Sequence, residues 1–133
     1  VTEDVDVMGL GDTADERYRL MDLALELGLP LEAVNSAADF FVRRIPGWEA
    51  ELEVLYTGKR SVVHRPSATL LGLLKAARLS SRDLDDCRAA LAWARASGER
   101  LDVERLRAAV DALPSAEDAA LVGRRVELRS LIG

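Results

Sequence analysis

The chain has 133 residues, room for one domain and one real core. Its apolar fraction is 49% and its charged fraction 31%, the balance of a globular protein and not of a disordered one. The longest apolar stretch, Ala68 to Leu74, falls far short of the ~18 residues of a membrane span, and a single cysteine, Cys87, excludes an internal disulfide.

Other compositional features set expectations about context. The start, Val1 to Asp6, is acidic where a secretory signal would be basic. Of the 18 lysines and arginines, only Lys59 and Lys75 are lysine, and Leu and Ala are abundant. That usage suggests a GC-rich, bacterial genome and a cytoplasmic protein. The net charge of −5 is unevenly spread, with −9 in residues 1–53 and +4 in residues 54–133. Such asymmetry marks either a partner surface or two halves that neutralise each other.

In chain order, residues 1–12 read as a flexible acidic leader and residues 13–133 as one helical domain. Thr13 and Glu16 have the spacing of a capping box, opening a helix to about Leu27 that Gly28 ends. Its apolar residues surround the helix, which predicts burial on several sides. Pro30 suits the first turn of a second helix, whose stripe is Val34, Ala37, Ala38, Phe41 and Ile45, and Pro46-Gly47 breaks it. Trp48, Leu52, Leu55 and Tyr56 again have helical spacing; a hairpin around Thr57-Gly58-Lys59 is the alternative for residues 51–64.

Ser67 opens a short apolar helix to about Leu79. Ser80 or Ser81 caps the next, supported by Asp83, with Leu84, Cys87, Leu91 and Ala94 inward and Gly98 as its stop. Asp102 caps a helix with Val103, Leu106 and Val110 inward. A last helix begins after Pro114 and carries Val122, Val126 and Leu128. The expected fold is therefore all-α, a compact orthogonal or up-and-down bundle of six or seven short helices.

The residues offer little recognisable chemistry. One histidine, His64, cannot build a multi-histidine metal site, and Cys87 falls on an inward helix face, where a thiol packs as a small hydrophobe. The carboxylates Asp83, Asp85 and Asp86 sit where acids offset a helix dipole, and Glu49, Glu51 and Glu53 alternate onto a solvent face. Gly58-Lys59-Arg60-Ser61 lacks the earlier glycine and the strand of a phosphate loop, because position 53 is Glu53. No cofactor, no metal and no catalytic residue is expected.

Three features carry functional content. Ala24, Gly28 and Val34 have the spacing of a tight two-helix corner near residues 20–42, which resembles the DNA-binding helix-turn-helix. That resemblance implies Asn35, Arg43 and Arg44 as DNA contacts, although acids stand where phosphate contacts should begin. Between Val54 and Arg82 there are Lys59, Arg60, Arg65, Lys75, Arg78 and Arg82 and no acid. If residues 58–66 fold beside the helix opening at Ser67, then Lys59, Arg60, His64 and Arg65 form a site for an anion or an acidic partner. Lastly, Val122-Gly123-Arg124-Arg125-Val126-Glu127-Leu128 with Leu131 is similar to the phrase that opens the NTPase module of large bacterial regulators. That likeness implies a helical regulatory domain of a longer protein.

The functional expectation is a non-catalytic helical module acting through protein–protein contacts, as a subunit, adaptor or regulatory domain. Its partner is another protein, with an acidic one favoured by the basic segment. Nucleic acid is the less favoured partner, a membrane is not expected, and a homodimer is compatible with the sequence. The alternatives are a helix-turn-helix transcription regulator and a small helical enzyme whose site the sequence hides.

Overall fold

The computed structural model describes residues 5–8, 13–31, 33–59 and 62–133. They fall into two units, Val1–Pro46 and Gly47–Gly133.

In the first unit, helix α1 spans Ala14–Glu26 and opens on the expected capping box: the Thr13 hydroxyl accepts from the Glu16 amide, and Glu16 reaches back to the Thr13 amide. Gly28 follows with φ +68°, the left-handed conformation that lets the chain turn without a Cβ clash. Burial differs from expectation. Only Leu20 and Ala24 are buried on α1, packed with Val34, Val7 and Leu29, while Tyr18, Leu25 and Leu27 are exposed.

The second helix expected here is largely replaced by strand and turn. Val5–Asp6 (β1), inside the expected leader, pairs in parallel with Val34–Asn35 (β2). Helix α2 is the six-residue segment Ala37–Val42. The reason is local: the Ala33 amide bonds back to the Pro30 carbonyl as a turn, and the Asn35 side chain accepts from the Ala37 amide. Val34 still reaches the core, but from an extended backbone. The helix-turn-helix corner is thus overturned: residues 27–36 separate the two helices, and they include a strand.

In the second unit, Gly47 (φ +74°) leads into a 3-10 turn at Trp48–Glu51. Strand β3 (Leu52–Thr57) and strand β4 (Val62–Pro66) then form an antiparallel hairpin. The helix expected over residues 48–58 is corrected to this hairpin. Val54, Leu55, Tyr56 and Thr57 on one side, and Val62 and Val63 on the other, are β-branched, aromatic or aliphatic residues suited to a pleated surface. Four apolar residues at helical spacing do not outweigh that content.

Four helices make the body: α3 (Ala68–Ala76), α4 (Ser81–Ser97), α5 (Val103–Asp111) and α6 (Ala119–Ile132). Each opens on a side-chain cap. Ser67 accepts from the Leu70 amide, Ser80 from Asp83, Asp102 from Arg105 and Asp118 from Ala120. Helix α4 packs on α3 and α6, and α5 packs on the same two. The shared core holds Leu79, Leu84, Cys87, Leu91, Leu106, Val110, Leu128 and Ile132. Of the expected inward residues, Leu84, Cys87, Leu91, Leu106 and Val110 are found there, Val103 packs partly buried against them, and Ala94 is buried. Of those named on α6, Leu128 is in the core, joined by Ile132 and the partly buried Leu121, while Val122 and Val126 are exposed.

Two close fits hold this body together. At Gly72 a Cβ would come within 2.8 Å of Leu106 Cδ2, so the glycine lets α3 approach α5. Leu79, fully buried, has φ +40°, a left-handed conformation that costs a leucine roughly 1 kcal/mol. Its burial and the 2.7 Å bond from Arg124 Nε to its carbonyl oppose that cost. The fold is therefore mostly helical with two small sheets, and the all-α bundle is corrected to this mixed class. No described helix is long and apolar enough to cross a membrane.

Candidate interaction surface

In the hairpin of the second unit, the large apolar side chains from Val54 to Tyr56 and at Val62 and Val63 stay outside the core. Register pairs Leu52 with Pro66, Glu53 with Arg65, Val54 with His64, Tyr56 with Val63 and Thr57 with Val62. Leu55 has no partner and forms a bulge, which sharpens the local twist. Alternation along β4 sends Val63 and Arg65 to one face and Val62 and His64 to the other. Val54, Leu55, Tyr56, Val62 and Val63 are each 44% to 66% exposed. Both faces thus carry exposed apolar residues. Scattered exposed aliphatics are ordinary, but five large ones on one short hairpin, shared between its two faces, are a concentration of uncovered apolar surface.

The base of the hairpin is tied to the helices. Arg65 bonds Glu53 across the strands and Glu99 at 2.8 Å, and its guanidinium lies 4.4 Å from the Trp93 ring centroid. Glu99 uses its other oxygen to accept from the Ala68 amide at 2.8 Å, capping α3. Glu51 accepts from the Ser67 hydroxyl and pairs with Arg105 at 3.2 Å, while its carbonyl accepts from the Ser67 amide at 2.7 Å.

The residues expected to form an anion site are thereby distributed along the hairpin. Lys59 is exposed near its tip, His64 is exposed in mid-strand, and Arg65 is partly buried at the base and committed to two carboxylates. Arg60 lies outside the described residues. The residues expected to contact DNA are in the other unit. Asn35 lies in β2 and accepts from Ala37, Arg43 bonds Asp39 at 2.7 Å, and the Arg44 guanidinium lies 4.8 Å from the Phe40 ring centroid.

A cleft of about 510 Å³ lies between the hairpin base and the start of α5, lined by Glu51, Glu53, Glu99 and Asp102 among others. Each of these carboxylates already accepts a bond from the chain, Asp102 from the Arg105 amide. A second polar centre holds α3 to α4. There Asp83, nearly inaccessible, accepts from Arg78, Ser80 and Lys75, and Lys75 also bonds Asp86 at 2.6 Å. Arg78 first, then Ser80 and Lys75, hold the Asp83 carboxyl far below the usual carboxylate range, against the opposing effect of desolvation. Burial pushes the nearby Cys87 thiol up to about 11, so it packs as a neutral hydrophobe. Among the described residues, no three His, Cys, Asp or Glu are grouped to hold a metal.

Sequence periodicity did not identify the exposed hairpin or its Trp93–Arg65–Glu99 clamp. The signal available was the two β-rich runs around Thr57-Gly58-Lys59. Glu99 could not have been found, because its partners lie 31 and 34 residues away. No family model, no characterised protein and no solved structure matches this chain.

Proposed function

We propose that this chain is a non-catalytic, mostly helical module that acts through protein–protein contacts made by the β3–β4 hairpin. The observation that carries the reading is the exposure of Val54, Leu55, Tyr56, Val62 and Val63 on strands that, among the described residues, no third strand joins. Unpaired strand edges and apolar faces are avoided in soluble proteins unless something covers them. Each of these side chains is about half exposed, so a partner that grips both faces and covers all five gains roughly 5 kcal/mol before the cost of association, and one that covers a single face gains about half of that. That suits a weak or regulated contact, to which the charges at the two ends of the hairpin add selectivity. The carboxylates around the cleft support the same reading, since structural bonds already occupy them. The free, buried Cys87 is consistent with a reducing compartment, and a cytoplasmic setting is part of the proposal.

The test is site-specific photo-crosslinking in the cells that make the protein. A crosslinker replacing Tyr56 or Val63 should form a protein adduct, and one replacing Glu104, exposed on α5, should not. Adducts at Glu104 with none at Tyr56 or Val63 would refute the assignment of the surface.

A further inference from the structure

We propose that the outer edge of β4 takes up an extended, apolar and acid-bearing segment of another protein as a third strand of the hairpin. This inference rests on the reading of the hairpin as a contact surface and supplies the mode of contact and the chemistry of the occupant.

The directions of the backbone bonds select the edge. The Ser67 amide donates to the Glu51 carbonyl at 2.7 Å, so that pair bonds across the ladder. Bonding and non-bonding pairs alternate along antiparallel strands. Arg65 therefore bonds inward to Glu53, and the next pair, Val54 with His64, turns its amides and carbonyls away from the opposite strand. The bulge sets Leu55 and Tyr56 against Val63, which bonds inward, and Val62 again turns outward. Val62 and His64 thus each hold an amide and a carbonyl along the outer edge of β4, and among the described residues no third strand receives them. Pro66, the next outward position, has no amide to offer and closes that edge at the base of the hairpin. The outer edge of β3 is less suited, because its bulge at Leu55 breaks the regular spacing midway along the strand and twists it.

The apolar residues of both faces fit the same occupant. Val63 lies on one face and Val62 on the other, 50% and 44% exposed. A molecule resting on one face would leave one of them in water. An added strand alternates its own side chains above and below the sheet, so it sets one neighbour beside Val62 and the next beside Val63. The occupant is therefore apolar at those two positions. Charge decides the rest. Residues 59–66 hold Lys59, Arg60, His64 and Arg65 and no acid. Arg65 is taken up by Glu53 and Glu99, while Lys59 and His64 have no ion pair among the described residues. A second copy adding its own β4 would set this basic stretch beside itself, which opposes association, whereas an acid-bearing strand is attracted to it. His64, exposed and on the Val62 face, is where an acidic side chain of the occupant would lie.

The test joins hydrogen exchange on the purified full chain to photo-crosslinking in the cells that make it. In the purified chain the His64 amide should exchange at least about ten-fold faster than the Arg65 amide, which bonds to Glu53. Equal protection of the two would mean that the edge is already covered, and the proposal falls. The crosslinker at Val63 is then combined with proline at either of two residues that face each other across the ladder. His64→Pro removes an outward amide from β4, and Val54→Pro removes one from β3. The Arg65 amide should stay protected in both variants; loss of its protection would place the substituted amides inside the ladder and overturn the proposal. Adduct yield should fall about ten-fold or more with His64→Pro and stay within about two-fold with Val54→Pro. His64→Ala, which keeps the amide, should lower it by less than about three-fold. The captured segment, read by mass spectrometry, should be apolar and carry Asp or Glu. A segment rich in Lys or Arg, or an adduct of twice the chain's mass, overturns the choice of occupant. If the adduct survives His64→Pro, or is lost as fully with Val54→Pro, strand addition to β4 falls and the contact surface stands. If the Tyr56 and Val63 crosslinkers capture nothing, both fall.

Discussion

The four-helix body and the hairpin of the Gly47–Gly133 unit use similar aliphatic side chains to opposite ends. In the body, Leu79, Leu91, Leu106 and Leu128 are buried, and their helices are capped at the start. In the hairpin, Val54, Leu55 and Tyr56 lie open, and only the base is fastened, through Arg65, Glu99, Glu51 and Ser67. The body is complete within this unit. The hairpin has its hydrogen-bonded ladder but not its burial. An apolar residue thus stabilises the fold only where a second layer covers it, and an uncovered one is available to another molecule.

The contrast can be broken by substitution. Leu128→Ala should destabilise the chain by about 3 kcal/mol, from lost transfer energy and the cavity left behind. Leu55→Ser, in dilute protein, should change stability by less than about 0.5 kcal/mol. Urea unfolding followed by circular dichroism measures both. A Leu55→Ser loss as large as that of Leu128→Ala would mean that the hairpin is folded into the core after all.

A smaller effect is expected at Asp83, within the body. Its carboxyl lies below its unfolded value, so the stability it contributes is fully present above the unfolded carboxylate range, near pH 4, and is lost as pH falls from there. Asp83→Asn should cost about 1–2 kcal/mol at neutral pH, a figure held down because solvent screens Arg78. It should also flatten the acid limb of the stability curve. The urea midpoint measured from pH 7 to pH 2.5 checks both; an unchanged acid limb would remove Asp83 as its source.

The clamp between the two regions should give a modest change in the whole molecule and the sharpest local one. Glu99→Gln keeps an acceptor for the Ala68 amide but loses the charge facing Arg65. Global stability should fall by about 1 kcal/mol. Amide hydrogen exchange along β4 should quicken, while exchange along α4 and α6 stays near that of the unmodified chain. Equal acceleration everywhere would show that hairpin and body open as one unit.

Much of the body was legible in the sequence. Thr13–Glu16, Ser67, Ser80–Asp83 and Asp102 act over three residues, and Leu84, Cys87, Leu91 and Ala94 lie on one face by helical period alone. The hairpin was harder to read, because Trp48, Leu52, Leu55 and Tyr56 fit a helix period while their β-branched neighbours favour a strand. The register with Val62 and Val63 resolves that conflict. The candidate site was the least legible. Lys59, His64 and Arg65 were visible as a basic run, but nothing local says that Arg65 turns to Glu99 and Trp93 while Lys59 stays in water.

By itself, then, the sequence determined the helix caps, the glycine stops, the α4 and α5 core faces and the poverty of reactive groups. These depend on neighbours within a turn or two, where spacing dictates contact. Tertiary structure alone decided that residues 34–35, 52–57 and 62–66 are strands. It also set the inward face of α6, where the core takes Ile132 with Leu128 and leaves out Val122 and Val126, and left the hairpin's apolar run uncovered. Those outcomes depend on residues tens of positions apart, and chain folding, not local preference, brings such residues together.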